Sequence, residues 1–327
     1  MRIGFEAVSH DLFEPFRISR RTYTHADTLR VVIEKDGIVG RGEAAGLDYH
    51  GETVAVMLGQ AEPIANHLAE GGRLDRELLQ ALLPRCGARN AIDCALWDLE
   101  AKSTGVPAAV AAGLPALRPL RTTITLGMDE PDRMAAKALR LGPDHFIKIK
   151  LGDDADLERL KAIHAAVPSA ELVVDANQAW SFARLAELSP YLAQIGVKLI
   201  EQPLPAEDDG QLREYDGPVP LCADEACSDR RSLASVTGKY SFINIKLDKS
   251  GGLTEALLLA REARALGLRL MVGCMEGTSL CIAPAFLVGQ FCEVVDLDCP
   301  LLLKEDIADG MRYEGHSLQP YDRALWG

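Results

Sequence analysis

Eight short runs of Val, Ile and Leu punctuate the chain from residue 122 onward: "TTITLG", "FIKIKLG", "ELVVDANQ", "KLIEQPL", "PLCADEA", "FINIKLDKSGG", "LRLMVGCMEG" and "CEVVDLDCP". Stretches of helical periodicity, such as "DLERLKAIHAAV" and "TEALLLAREARALG", separate most of them. Strand–helix alternation demands crossover connections, which are right-handed and build a parallel sheet. Eight such units suffice to close a (β/α)8 TIM-type barrel. A doubly wound open sheet is the competing geometry.

The residues ahead of this rhythm read as α+β. Two apolar runs flank Asp36-Gly37 in "TLRVVIEKDGIVGRGEAA", which predicts a hairpin. In "RELLQALLPRCGARNAIDCALWDLEAKSTG" the residues Ile92, Ala95, Leu96 and Leu99 recur at helical spacing. Pro84 is expected to break this pattern early and Gly105 to stop it. The Gly- and Pro-rich "GVPAAVAAGLPALRPLR" marks a passage near residue 115. The expected organisation is an α+β capping domain over residues 1–115, a barrel over 116–305, and a C-terminal segment, 306–327, returning to the cap.

Composition narrows the function. A net charge of −13 argues against nucleic acid or an anionic membrane as partner, because both demand a basic patch. It leaves carboxylates to spare for a hard cation. No apolar run reaches the ~18 residues of a membrane span, and "MRIGFEAVSHD" lacks a signal-peptide apolar core, so a cytoplasmic protein is expected. The eight cysteines form no C-x-x-C pair and read as reduced thiols filling the core.

Charged residues gather at the C-terminal ends of the runs, where a barrel carries its chemistry. Lys148 and Lys150 close the second run, Asp175 and Asn177 the third, Glu201 the fourth, Asp224 and Glu225 the fifth. Lys246 and Asp248 close the sixth, Asp296 and Asp298 the eighth. Residues i and i+2 of a strand share a face, so Lys148/Lys150, Asp175/Asn177, Lys246/Asp248 and Asp296/Asp298 each read as a pair. One charge at a strand end usually just enters a loop and meets water. The same placement on six strands reads as a lined mouth.

Asp175, Glu201 and Asp224 come from consecutive strands and repel one another unless a cation lies between them. All-oxygen ligation favours Mg²⁺; a salt-bridge network with the nearby lysines is the alternative. A lysine acts as a base only when neutral, and a neighbouring ammonium or divalent cation lowers its pKa. Lys148 is thus expected to keep Lys150 ready to accept a proton. Lys150 and Lys246, from opposite sides of the barrel, suit a 1,1-proton transfer: one removes a proton α to a carboxylate and the other returns one from the far side.

Together the strings "KIKLG", "VVDANQAW", "IEQPL", "ADEA", "INIKLDKSGG" and "NAIDCALWDLEAK" resemble the enolase superfamily, and within it the muconate-lactonizing subgroup. The likeness spans nearly the whole chain. It implies a modified (β/α)8 barrel with an α+β capping domain, one Mg²⁺ held by Asp175, Glu201 and Asp224, Lys150 and Lys246 as bases, and Lys148 as helper at the metal-bound carboxylate. "VVDLDCP" looks like the D-x-D motif of the dipeptide epimerases. Asp296 and Asp298 would then form an anionic cup for a free α-ammonium group; two solvated loop acids are the alternative. "MVGCMEGTSL" departs from the commonest epimerase string but keeps a Met-x-x-Thr-Ser form, which implies that Met275 and Thr278 line the substrate and leaves Glu276 without an inherited role. In "PFRISRRTYTHAD" the guanidinium of Arg20 or Arg21 suits a side-chain carboxylate, and Arg20 falls where alanyl-glutamate epimerases resemble this segment best. A solvated arginine is the alternative there.

The expected reaction is therefore epimerisation of a small dipeptide such as L-Ala-D/L-Glu, a cell-wall peptide fragment. Alternatives are an N-acylamino acid racemase or cycloisomerase of the same subgroup, a barrel glycosidase that leaves the lysines idle, and a non-catalytic metal-binding barrel. The resemblance also allows a homo-oligomer. Other signals fall away. "GRGEAA" lies in the hairpin, without the βαβ context of a dinucleotide site. There is no G-x-S-x-G and no zinc spacing among the seven histidines. Trp97 reads as core; Trp180 walls the site or packs.

Overall fold

The computed structural model of the chain describes residues 1–142 and 144–327. Three antiparallel strands, β1 (Arg2–Arg17), β2 (Thr22–Lys35) and β3 (Ile38–Ala44), form the first sheet in the order β1-β2-β3. Lys35 pairs with Ile38 across the hairpin, and Asp36 and Gly37 have φ of 52° and 78°. Positive φ at both central residues is what a tight hairpin of the correct twist requires. Helices α1 (Val54–Ala69), α2 (Arg76–Leu82) and α3 (Gly87–Thr104) follow, with Pro84 in the break between α2 and α3 and Gly105, at φ 75°, capping α3.

The apolar face of α3, including Ile92, Ala95, Leu96 and Leu99, buries Leu29, Val31 and Ile33 of β2. The helix approaches β3 closely because Gly40 and Gly42 have no side chain: a Cβ on Gly42 would lie 2.1 Å from the Ala91 carbonyl. The length of β1 was not legible in the sequence. Its side chains are mostly exposed or half-buried, so no apolar alternation announces it.

After α4 (Ala108–Ala111) and β4 (Leu120–Arg121), eight strands form one parallel sheet: β5 (Ile124–Leu126), β6 (Phe146–Lys150), β7 (Glu171–Asp175), β8 (Val197–Glu201), β9 (Leu221–Ala223), β10 (Phe242–Ile245), β11 (Arg269–Val272) and β12 (Val294–Val295). Their spatial order follows their chain order, which excludes the doubly wound alternative. The two sheet edges meet: Thr122 bridges Val295, and Thr123 N donates to the Val295 carbonyl at 2.8 Å. The crossovers carry α5 (Pro131–Leu141), α6 (Asp156–Ala166), α7 (Phe182–Gln194), α8 (Leu233–Val236), α9 (Leu247–Ser250), α10 (Leu253–Ala265) and α11 (Ser279–Gly289). Only 3-10 turns link β8 to β9, so the barrel is a modified one.

The chain's end packs on the first sheet and its helix. Arg41 Nη2 donates to the Ala324 carbonyl at 2.7 Å, Trp326 Nε1 to that of Cys94 at 3.0 Å, and Gly327 N to Asp98 Oδ1 at 2.7 Å. Trp97 is core, its Nε1 on Thr254 at 2.9 Å, and Trp180 packs with its Nε1 on Asp156 at 2.8 Å. All eight cysteines are free, and among the described residues no helix is long and apolar enough to cross a membrane.

Asp93 ties α3 to the barrel, accepting from Thr254 N at 2.9 Å and Thr254 Oγ1 at 2.7 Å. Burial pushes its carboxyl up to about 6, against those hydrogen bonds. A raised carboxyl pKa contributes stability that is full below the ordinary value, about 3.9, and is lost as pH rises through the folded value. The thermal midpoint of the native protein is therefore expected to fall, relative to that of Asp93→Asn, as pH rises from 4 to 7. Parallel midpoints would mean that Asp93 ionises normally.

Candidate active site

Strand alternation builds the site in layers. One inward residue from each of seven strands forms an apolar floor: Phe146, Val173, Leu199, Cys222, Phe242, Met271 and Val294. Two residues further along, the same faces present Lys148, Asp175, Glu201, Asp224, Asn244, Gly273 and Asp296. Burying a charge costs several kcal/mol per ion, and well-packed apolar side chains would serve stability as well or better. A polar layer directly on an apolar floor therefore signals chemistry.

Lys148 Nζ is the hub of this layer. It lies 2.6 Å from Asp296 Oδ2, 2.7 Å from Glu201 Oε2 and 3.2 Å from Asp175 Oδ2, and the side chain is 1 % exposed. Burial works against its charge, but Asp296, Glu201 and Asp175 outweigh it and hold the ammonium well above the ordinary lysine range. Expected beside Lys150, the Lys148 ammonium is found in contact with three carboxylates. Lys150 Nζ contacts Asp175 Oδ2 at 2.7 Å and Lys246 Nζ contacts Asp224 Oδ2 at 2.8 Å. Burial opposes the charge of Lys246 too, and Asp224 and Glu201 override it.

In the strand order, Asp175 on β7, Glu201 on β8 and the residue after β9, Asp224, form a carboxylate arc. Lys150 stands one strand before it and Lys246 one strand after. Burial raises all three carboxyls; the lysines reverse this for Asp175 and Asp224, whereas Asp175 reinforces it for Glu201, which is pushed up to about 7.

The salt-bridge alternative is thus present. Among the described residues, no three His, Cys, Asp or Glu side chains are grouped as a cation site, because ammonium groups meet the carboxylates. The donor set nevertheless fits a hard cation. It is all oxygen: Asn177 Oδ1 and Asn244 Oδ1 are buried without a hydrogen-bond donor, and Glu201 Oε2 and Asp224 Oδ1 meet the ammonium groups of Lys148 and Lys249. Lone pairs of this kind are costly to bury unless a cation or a donor meets them.

Several positions differ from expectation. Asp248 does not share the face of Lys246: the alternation ends where α9 begins, and Asp248 Oδ1 instead accepts from Ala45 N and Gly46 N at 3.0 and 3.1 Å. The true partner of Lys246 is Asn244, whose Nδ2 donates to Glu201 Oε1 at 2.7 Å. Gly273 leaves room beside them, since a Cβ there would lie 2.7 Å from Asn244 Nδ2 and 3.0 Å from Lys246 Cε.

Asp296 and Asp298 are brought together by Thr125, whose Oγ1 reaches Oδ1 of each, at 3.3 and 3.2 Å. They do not form an open cup. Asp296 is committed to Lys148 and Thr123, and Asp298 accepts from Thr125 N at 2.6 Å. Burial and the neighbouring Asp296 push the Asp298 carboxyl up to about 7.

Thr278 does not present its hydroxyl to a substrate: it donates to Glu43 Oε1 at 2.7 Å and accepts from Leu280 N at the start of α11. Met275 and Glu276 line a cavity of about 140 Å³ with Tyr23, Asp48 and Glu52. Arg21 also lines this cavity, whereas Arg20 meets the barrel after β9. Its Nη2 pairs with Glu225 Oε1 at 2.8 Å, and its guanidinium stands 5.3 Å from the Tyr49 ring centroid.

The profile described as "Mandelate racemase / muconate lactonizing enzyme, N-terminal domain" matches residues 4–111, and "Enolase C-terminal domain-like" matches residues 132–323. The chain belongs to the enolase superfamily. This superfamily member is 41 % identical to the L-Ala-D/L-Glu epimerase of Escherichia coli over 304 residues, 92 % of this chain and 94 % of that protein. It is 37 % identical to the N-acetyl-D-glutamate racemase of a Pseudoalteromonas species, covering 91 % and 94 %. A crystal structure of an enolase family member from Agrobacterium tumefaciens, with bound sodium and L-Ala-L-Glu, superimposes with a TM-score of 0.95 at 43 % identity, covering 99 % of each chain. The dipeptide epimerase of Enterococcus faecalis, complexed with Mg and L-Leu-L-Tyr, does so with a TM-score of 0.89 at 31 % identity, covering 98 % and 96 %.

Proposed function

We propose that the chain is a Mg²⁺-dependent dipeptide epimerase that inverts the α-carbon of the C-terminal residue of L-Ala-D/L-Glu by two-base proton transfer. The observation that carries this reading is the arc of Asp175, Glu201 and Asp224 bracketed by Lys150 and Lys246. The arc's carboxylates would hold the ion, which when bound supplies Lewis-acid stabilisation of negative charge at the substrate carboxylate. Lys150 Nζ takes the α-proton on one face, and Lys246 Nζ delivers a proton on the other. Microscopic reversibility exchanges their roles for the opposite epimer. Lys148 keeps Asp175, Glu201 and Asp296 compatible at close range. The apolar floor and the cap loops exclude water from the carbanionic species.

Arg20 provides the side-chain preference, exchanging Glu225 for the γ-carboxylate of glutamate, and Asp298 with Asp296 attracts the α-ammonium group. Met275 walls the pocket. The reading extends to residues 1–115 as the cap, 116–305 as the catalytic barrel and 306–327 as a strap back to the cap. It also extends to a cytoplasmic enzyme, in homo-oligomeric form, that recycles cell-wall peptides.

A second reading is favoured by the commitment of Asp296 to Lys148 and by the relative that racemises N-acetyl-glutamate. An N-acylated substrate brings no ammonium group and leaves that ion pair undisturbed. Incubating L-Ala-L-Glu, N-acetyl-L-glutamate and a dipeptide library with the protein and Mg²⁺ in D₂O distinguishes the two. The dipeptide is expected to gain one deuterium with inversion, faster than the N-acetyl compound. Arg20→Ala is expected to raise KM for alanyl-glutamate about 10-fold or more, the scale of a lost charge-assisted hydrogen bond. Unaltered alanyl-glutamate kinetics in that variant would remove the glutamate assignment.

A further inference from the structure

The second lysine of "KLDK", Lys249, has no part in this scheme, yet it is the most tightly held ammonium of the site. Its side chain is 1 % exposed. Its Nζ forms an ion pair with Asp224 Oδ1 at 2.6 Å and donates to three main-chain carbonyls: that of Asp224, that of Cys227 at 2.8 Å and that of Asn244 at 2.9 Å. Four oxygens around one buried nitrogen resemble the cage of a structural cation more than a surface ion pair. An ammonium has three protons to give, and all are spent inside this cage.

The cage has two consequences for the arc. Asp224 has two carboxylate oxygens. Lys249 engages Oδ1, so only Oδ2, the oxygen that meets Lys246 at 2.8 Å, is turned toward the bases. Lys249 also grips the main chain of Asn244, whose side chain holds Glu201 Oε1 at 2.7 Å. One ammonium thus orients two of the three carboxylates, one directly and one through a relay. A buried charge is poor filler where Leu or Met could pack, so stability alone does not account for it.

We propose that Lys249 is a positioning residue, a built-in cation that fixes Asp224 and, through Asn244, Glu201, and thereby sets the affinity of the arc for Mg²⁺. The inference rests on the metal reading above. Groups that orient metal ligands typically cost 10- to 100-fold in metal affinity when removed. Calorimetric titration of Mg²⁺ into the native protein, Lys249→Met, Lys249→Gln and Asn244→Ala tests it, with melting in EDTA to report folding.

In Lys249→Met the Mg²⁺ Kd is expected to rise about 10- to 100-fold, and Lys249→Gln, which keeps a donor for the carbonyls, recovers part of the loss. Asn244→Ala, with Lys249 intact, is expected to weaken Mg²⁺ by severing the relay to Glu201. An unchanged Kd in a folded variant, whatever its melting point, would make Lys249 merely structural and overturn the proposal. A tighter Kd would mean that it acts by repelling the ion, and overturns it too. If both Lys249 variants fail to fold, the Asn244→Ala titration alone decides. A native protein that binds no Mg²⁺ would instead defeat the metal reading, a distinguishable failure.

Discussion

Lys150→Ala and Lys246→Ala will each abolish epimerisation, yet each will still exchange the α-proton of one epimer with solvent. The two surviving epimers will be opposite. With Lys150 gone, Lys246 can still abstract from the face it addresses and return a deuteron to that same face. The substrate is then labelled without inversion, and Lys246→Ala shows the mirror pattern. Loss of a positioned acid or base lowers turnover by about 10²- to 10⁴-fold. Labelling in D₂O followed by chiral separation reads both features. Two variants that label the same epimer would mean that the lysines share one face. Full epimerisation in either would mean that it is not a base.

Lys148→Met is expected to give the largest loss of stability. The ammonium sits within 3.2 Å of three carboxylates on β7, on β8 and beyond β12. Removing one partner from a buried ionic cluster costs about 3–5 kcal/mol, because the remaining charges stay buried and unpaired. Three carboxylates released together also repel. The variant is expected to melt well below the native protein in EDTA and to regain part of the difference in Mg²⁺, which replaces the lost positive charge. A melting point unchanged in EDTA would show that the carboxylates do not depend on Lys148.

The barrel was legible because six of the eight strands announce themselves twice, by an apolar run and by the acid or lysine that ends it. Lys148, Lys150, Asp175, Glu201, Asp224 and Lys246 could be read from that pattern. Asn244 could have been found by the same rule: it stands two residues before Lys246, as Lys148 does before Lys150. The more conspicuous charge of Asp248 obscured it, and only the onset of α9 reveals that the alternation has stopped. Lys249 was hidden for the same reason, since helical geometry turns it back toward Asp224. The commitments of Asp296 to Lys148, of Arg20 to Glu225 and of Thr278 to Glu43 join residues 148, 205 and 235 positions apart. No local periodicity encodes such contacts; barrel closure and docking of the cap create them.

A crystal structure of the protein with Mg²⁺ and L-Ala-L-Glu bound tests the two-base assignment most directly. Lys150 Nζ and Lys246 Nζ are expected on opposite faces of the glutamate α-carbon, with the substrate carboxylate on the ion held by Asp175, Glu201 and Asp224. Both nitrogens on one face, or an ion bound away from that arc, would contradict it.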